Sequence, residues 1–139
     1  MSDNISLLRR AKRDIALCHK ILDDIEDDVD IDIAGYHLQQ GVEKYIKYKI
    51  QLKGVIYPKT HDIYKLLDLC DANNIDMPHW IDENADTLNS YLSESRYGSS
   101  IVASKRKILK LLPLIKELLK MEDDATIANE PKNPPSSLF

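Results

Sequence analysis

Residues 34–62 read AGYHLQQGVEKYIKYKIQLKGVIYPKTHD, and this stretch decides the fold. Small and apolar residues recur in it at steps of three and four, which is the spacing of one face of a helix. That face comprises Ala34, Leu38, Gly41, Val42, Tyr45, Ile46, Ile50 and the aliphatic stem of Lys49. The pattern predicts a helix over residues 31–52, ended by Gly54. Glycine is unfavourable inside a helix, so Gly41 indicates that another helix approaches closely there.

A line of polar side chains runs beside this face. Tyr36, Gln40, Glu43 and Lys47 follow one another at i, i+4, i+7 and i+11. Glu43 precedes Lys47 by four residues, the favourable order for an ion pair within a helix, worth ~0.3–0.5 kcal/mol when exposed. The spacing alone favours a solvated helix surface, and a polar groove is the alternative.

The segment YPKTHD connects this helix to the next one. Pro58 disfavours the helical conformation at the preceding residue, Thr60 is suited to cap the next helix, and Asp62 suits its first turn. The apolar positions Ile63, Leu66, Leu67 and Cys70 then predict a short helix to residue 72. On this evidence His61 is a structural residue at a helix start rather than a catalytic one.

The rest of the chain shows the same helical spacing. Periodic apolar residues predict helices over residues 4–26 and 78–95, and a last helix capped by Ser99 or Ser100 and bent at Pro113. No segment alternates like a strand, so we expect an all-α, antiparallel up-and-down bundle of about five helices. We place the bundle at residues 1–121 and a polar tail with several prolines at residues 122–139.

The composition excludes several classes of protein. At 139 residues the chain fits one domain. No apolar run would span a bilayer and no secretory signal is present, which predicts a cytoplasmic protein. Cys18 and Cys70 do not form a CxxC pair, so buried free thiols are favoured over a disulfide or a metal site. No cofactor or metal motif is found.

The charges are unevenly spread along the sequence. The formal net charge of −4 argues against broad, non-specific nucleic-acid binding. However, RRAKR occupies residues 9–13 and DDIEDDVDID occupies residues 23–32. The acidic run lacks the ligand spacing and central glycine of a calcium loop. We interpret it as a solvated helix end and turn, and a surface for a basic partner is the alternative.

The stretch YHLQQGVEKYIKYKIQLKGVIYPKTHDIYKLLDLC resembles the signature of the HEPN family of small helical-bundle proteins. In that family a long helix carries Gln-Gln-small-Val-Glu-Lys-x-x-Lys, and the next helix opens with Thr-His-Asp. ESRYG is similar to the Arg-Tyr turn before the family's last helix. The resemblance implies that Glu43, Lys47, His61 and Arg96 line one groove, often at a homodimer interface. Tyr97 would stack on a base while the Arg96 guanidinium recognises phosphate.

The resemblance also bears on activity. Many HEPN proteins are metal-independent RNA endonucleases with an Arg followed four to six residues later by a His. Here YGSSIVA follows Arg96 and contains no His. We therefore expect a non-catalytic binding protein with a groove for a nucleotide or RNA. Short members of this kind are often paired with a minimal nucleotidyltransferase in a toxin–antitoxin-like system. The alternative is an RNA endonuclease toxin that uses a displaced His.

Overall fold

The computed structural model describes residues 2–92 and 103–129, and side chains over 6–92 and 103–122. Every regular element in these ranges is a helix, which confirms the all-α prediction. The helices are α1 (Ser2–Asp23), α2 (Val29–Leu52), α3 (Ile63–Ala72), α4 (His79–Glu83), α5 (Ala85–Ser90) and α6 (Lys105–Asn129). None of the described helices is long and apolar enough to cross a membrane.

Helix α2 forms the centre of the bundle, because it has buried residues around most of its circumference. It packs along α1, and it contacts α6 near both of its ends. The Asp32 carboxylate accepts a hydrogen bond from the Ala103 N–H (2.7 Å), and Lys49 pairs with Glu122 (2.8 Å). The start of α6 therefore lies beside the start of α2, and the two helices run in the same direction.

The predicted helix over residues 78–95 is wrong, because Asn84 divides it into α4 and α5. The Asn84 side chain donates a hydrogen bond to the Trp80 carbonyl (2.7 Å) and competes for the acceptor of the last turn. The apolar residues Ile81, Ala85 and Leu88 nevertheless all reach the core. Periodicity thus identified the buried residues and missed the break between them.

The last helix also differs from the prediction. It begins at Lys105, where the Ser104 hydroxyl accepts a hydrogen bond from the Lys107 N–H (3.3 Å). Ser99 and Ser100 lie outside the described residues. The helix contains Pro113, as expected, and continues to Asn129, past the predicted start of the tail at residue 122. Because Glu122 pairs with Lys49, the first residue of that predicted tail packs against the bundle.

Two smaller expectations concern the first helix and the cysteines. Helix α1 ends at Asp23, three residues before its predicted end. The exposed residues that follow form a turn in which the Asp30 carboxylate accepts from the N–H groups of Glu26 and Asp27.

Both cysteines are buried and free. Burial raises the pKa of Cys18 to about 12 and that of Cys70 to about 11, so both thiols are unreactive at neutral pH.

Gly41 lies where α1 and α2 approach most closely, as its position on the apolar face predicted. A Cβ atom added at Gly41 would lie 2.3 Å from Ile15 Cδ1 and 3.3 Å from the Ala11 carbonyl oxygen. Ile15 is itself buried, so it has little room to move away. The contact between these two helices therefore requires glycine at this position.

We expect Gly41→Val to destabilise the fold by about 2–3 kcal/mol, because overpacking forces Ile15 and the backbone of α1 to shift. Ala16→Val places the same valine side chain on the exposed side of α1 and should cost only about 0.5 kcal/mol, through helix propensity. Urea denaturation of both variants measures the difference. Equal midpoints would contradict the packing assigned to Gly41.

Candidate functional site

The carboxylate of Glu43 is the centre of a polar cluster between α2 and the loop that precedes α3. Its side chain is only 3% exposed. Oε2 accepts a hydrogen bond from Lys47 Nζ (2.9 Å), and Oε1 accepts from Gln39 Nε2 (3.1 Å) and lies 2.9 Å from His61 Nδ1. The interpretation of Glu43 and Lys47 as a solvated surface is therefore wrong. The loop covers this side of α2, which helical spacing could not reveal.

Lys47 is enclosed as well. Its side chain is 11% exposed, and Nζ lies 5.2 Å from the centre of the Tyr57 ring, within the range of a cation–π interaction. The ammonium group is thus shared between the Glu43 carboxylate and an aromatic face. Lys47 supports the cluster from within and offers little surface to a ligand.

His61 is the member of the cluster that faces outward, since its side chain is 67% exposed. The backbone is held beneath the ring, because the His61 carbonyl accepts a hydrogen bond from Gln39 Nε2 (3.2 Å). With Nδ1 directed to the buried carboxylate, the imidazole presents its Nε2 edge to solvent. Two contacts therefore hold this exposed residue in place: Nδ1 with Glu43, and the backbone carbonyl with Gln39.

The Thr-His-Asp sequence begins α3 differently from the prediction. Asp62, not Thr60, is the N-cap, and its side chain accepts from the Tyr64 N–H (3.0 Å). Thr60 instead accepts from the Asp62 N–H (3.1 Å). Asn89 of α5 donates to the Asp62 carboxylate (2.9 Å) and accepts from the Ile63 N–H (3.0 Å). The loop is therefore tied to α5, which places the cap two residues later than expected.

A second carboxylate, Asp14 of α1, organises the adjacent side of α2, which faces α1. Asp14 Oδ1 lies 2.9 Å from His37 Nδ1, and Oδ2 accepts from Lys44 Nζ at 2.5 Å. Burial alone would raise the pKa of Asp14, but the hydrogen bonds from His37 and Lys44 outweigh burial and lower it below 3.8. The His37 side chain is 24% exposed.

The two carboxylates are joined by a chain of side-chain hydrogen bonds through α2. Lys44 donates to Gln40 Oε1 (3.4 Å), Gln40 donates to Gln39 Oε1 (2.7 Å), and Gln39 donates to Glu43. Gln40 therefore belongs to the cluster and is linked to Glu43 through Gln39. Tyr36 packs edge-on against the His37 ring, with centroids 5.5 Å apart.

Several members of the cluster were not predicted from the sequence. Gln39 was overlooked although it precedes Glu43 by four residues and adjoins Gln40. Asp14 is the only acidic residue over 6–22, and it adjoins the apolar face of α1. This position could have indicated a buried carboxylate. Tyr57 carried no signal beyond its place before Pro58. These three residues supply contacts that arise only when separate segments pack together.

The remaining predicted site residues, Arg96 and Tyr97, lie outside the described residues, so their place beside His61 stays a prediction. Within the described ranges, no group of three or more His, Cys, Asp or Glu side chains is arranged to hold a metal ion. The described cluster comprises two carboxylates, two lysines, two imidazoles and two amides.

Comparison with protein families assigns the chain. The HEPN domain matches residues 6–125, most of the 139-residue sequence. The protein therefore belongs to the HEPN family, as the Gln-Gln and Thr-His-Asp segments indicated. Comparisons with curated proteins and with solved structures give no significant match.

Replacing Glu43 by Met should destabilise the fold by about 3–5 kcal/mol, because the buried Lys47 ammonium then lacks its counter-ion. The double variant Glu43→Met/Lys47→Met removes both charges and should be more stable than the single one. Glu117→Met, at an exposed position of α6, should change stability by about 0.5 kcal/mol or less. Denaturant titration measures all three, and a single variant as stable as the double one would contradict the pairing.

The pH dependence of stability tests the Asp14 contacts. A pKa lower in the folded than in the unfolded protein stabilises the fold above about pH 3.8, and this contribution is lost as the pH falls through the folded value. At pH 7 Asp14→Asn should cost about 1.5–3 kcal/mol, and its difference from wild type should stay constant down to about pH 4 and shrink as the pH falls further. The exposed control Asp24→Asn should track wild type throughout, as measured by denaturation at each pH.

Proposed function

We propose that this HEPN protein is a non-catalytic binding protein whose site is centred on His61. The observation that supports this proposal is the exposed imidazole seated on a buried carboxylate. A buried ion pair adds little net stability compared with apolar side chains of the same size. Stability alone therefore does not explain the buried Glu43–Lys47 pair. A ligand-binding role for the His61 ring above it does.

The ligand that best fits this site carries an anionic group and a planar base, as in a nucleotide or a short RNA segment. His61 would contact the bound nucleotide through Nε2. Arg96 would pair with phosphate through two parallel hydrogen bonds, and Tyr97 would stack on the base. Glu43 and Lys47 act as supports in this proposal, since each already satisfies the other. Their role is to hold the imidazole and the loop in a fixed position on α2.

A protein partner completes the proposal. We place this chain in a two-component, toxin–antitoxin-like pair with a minimal nucleotidyltransferase, acting as a homodimer in the cytoplasm. The exposed Leu114 and Met121, seven residues apart on one side of α6, support α6 as part of the dimer surface together with α4 and α5. Light scattering of the purified chain, and co-purification with such an enzyme, test these two pairings.

A second function is favoured by one specific contact. His61 Nδ1 lies 2.9 Å from a carboxylate, which is the arrangement that orients an imidazole for proton transfer through its other nitrogen. His61 could then replace the His that is missing after Arg96 and activate a ribose 2′-hydroxyl without a metal ion. The chain would be an RNA endonuclease rather than a binding protein.

The decisive variant is His61→Ala, with His37→Ala as its matched control. Both rings place Nδ1 2.9 Å from a carboxylate, and they differ mainly in exposure, 67% against 24%. We expect a nucleotide or short RNA at a hundred times its dissociation constant to stabilise wild type and His37→Ala by ~2.7 kcal/mol. His61→Ala should lose this stabilisation, measured as the ligand-induced rise in melting temperature.

The same proteins incubated with single-stranded and structured RNA in EDTA separate the two functions. A binding protein leaves the RNA intact. Cleavage that disappears in both His61→Ala and Arg96→Ala would replace the binding proposal by the endonuclease one. Equal ligand stabilisation of wild type and His61→Ala, without cleavage, would remove His61 from the site altogether.

A further inference from the structure

The outer face of α1 carries three exposed cations on one side of the helix. Arg9, Arg13 and Lys20 are exposed and lie at i, i+4 and i+11, which places them on one side of the helix. Ala16, also exposed, occupies the position between them at i+7. Among the described residues, no ion pair within 4.0 Å involves any of the three cations. We call Arg9, Arg13 and Lys20 the α1 stripe.

Within the span of the α1 stripe, the fold buries the one acidic residue that would otherwise offset its charge. Asp14 is the only acidic residue between positions 6 and 22, and it is buried against α2, where Lys44 and His37 satisfy it. The contact between His19 and Lys116 brings α6 alongside α1. Lys120, exposed one turn beyond Lys116, adds positive charge at the same edge.

Most of the exposed acidic residues lie in two places. The end of α1 and the turn after it carry Asp23, Asp24, Glu26, Asp27 and Asp28, which border the α1 stripe at Lys20. Over residues 63–90, which hold α3, α4 and α5, the only lysine or arginine is Lys65. The exposed acidic side chains of the same segment are Asp68, Asp71, Asp76, Asp82, Glu83 and Asp86. The net charge of −4 is therefore an average over a basic face and an acidic face. A polyanion meeting α1 experiences the local positive charge, since more distant charges are screened at ordinary salt.

We propose that the α1 stripe binds the phosphate backbone of a nucleic acid, independently of base sequence. The chemistry of the face selects this partner. Over the described part of α1, residues 6–23, no large apolar side chain is exposed. A protein interface needs an apolar centre, and a membrane surface is bound by helices that insert apolar side chains. Binding to phosphates needs only cations, and it does not require base contacts.

The geometry of the α1 stripe suits an extended strand. Arg9 and Lys20 are eleven residues apart, which is about 16 Å along the helix. At about 3.4 Å per nucleotide of a strand, this length covers roughly five nucleotide steps. The site shares no residue with the cluster around His61, so it goes beyond the proposed function and stands or falls separately from it.

The test is the salt dependence of binding to a fluorescently labelled 20-nucleotide RNA of one repeated base, followed by anisotropy. About three phosphate contacts on a single strand predict a slope of log affinity against log salt near −2, or roughly a 20-fold loss between 50 and 200 mM NaCl. Arg9→Glu/Arg13→Glu/Lys20→Glu should abolish binding at 50 mM. The neutral variant Arg9→Gln/Arg13→Gln/Lys20→Gln, which perturbs the helix less, should flatten the slope to near zero.

The matched control is Lys53→Glu/Lys107→Glu/Lys110→Glu. These lysines are also exposed, and both triple reversals change the formal net charge from −4 to −10. The control should keep the wild-type slope and lose less than about threefold in affinity. Equal loss in the two reversals would show that bulk charge is responsible and would overturn the proposal. An unchanged slope in the neutral variant would do the same.

Two further arms identify the partner. DNA of the same length and base composition should bind with the same slope as RNA, because the contacts are to phosphate. Tighter binding to anionic phosphatidylserine vesicles than to either nucleic acid would overturn the assignment. Self-association of the chain, measured by light scattering, would also overturn the assignment if it is salt-sensitive, competes with the RNA and is lost in the neutral variant.

Discussion

The buried carboxylate of Glu43 is the interaction on which the arrangement of this protein depends. It is surrounded by donors from two segments: Lys47 and Gln39 of α2, and His61 of the loop before α3. An uncompensated charge in that position would be strongly unfavourable, so the carboxylate and its donors must assemble together. The requirement fixes the loop against α2 and leaves one imidazole exposed above a rigid base.

Much of the fold follows from the sequence because burial imposes a period. The apolar face of α2, the close contact at Gly41 and the burial of both cysteines were predictable from spacing and residue type. The break at Asn84 was not predictable, because it depends on the Asn84 side chain binding the Trp80 carbonyl. The apolar residues on both sides of the break remain buried, so their spacing does not reveal it. The cap of α3 moved for a related reason, because Asn89 of another helix holds Asp62.

The candidate site shows where helical spacing stops being informative. The i, i+4 relation identifies Glu43 and Lys47 as neighbours, but it does not say whether another segment covers them. That information resides in His61, eighteen residues later, and the family signature supplied the link that spacing lacked. Net charge has the same weakness: the sum over the sequence does not reveal that Asp14 faces inward while the cations of α1 face outward.

The tautomer of His61 tests most directly whether Glu43 positions its imidazole. The ¹⁵N chemical shifts of the two ring nitrogens, in a long-range ¹H–¹⁵N NMR spectrum, identify the tautomer. If the Glu43 carboxylate holds the ring as described, neutral His61 carries its proton on Nδ1 and presents an unprotonated Nε2 to solvent. A neutral His61 protonated on Nε2 would show that Nδ1 does not donate to Glu43. In that case the buried carboxylate does not position the imidazole, and the site centred on it would have to be abandoned.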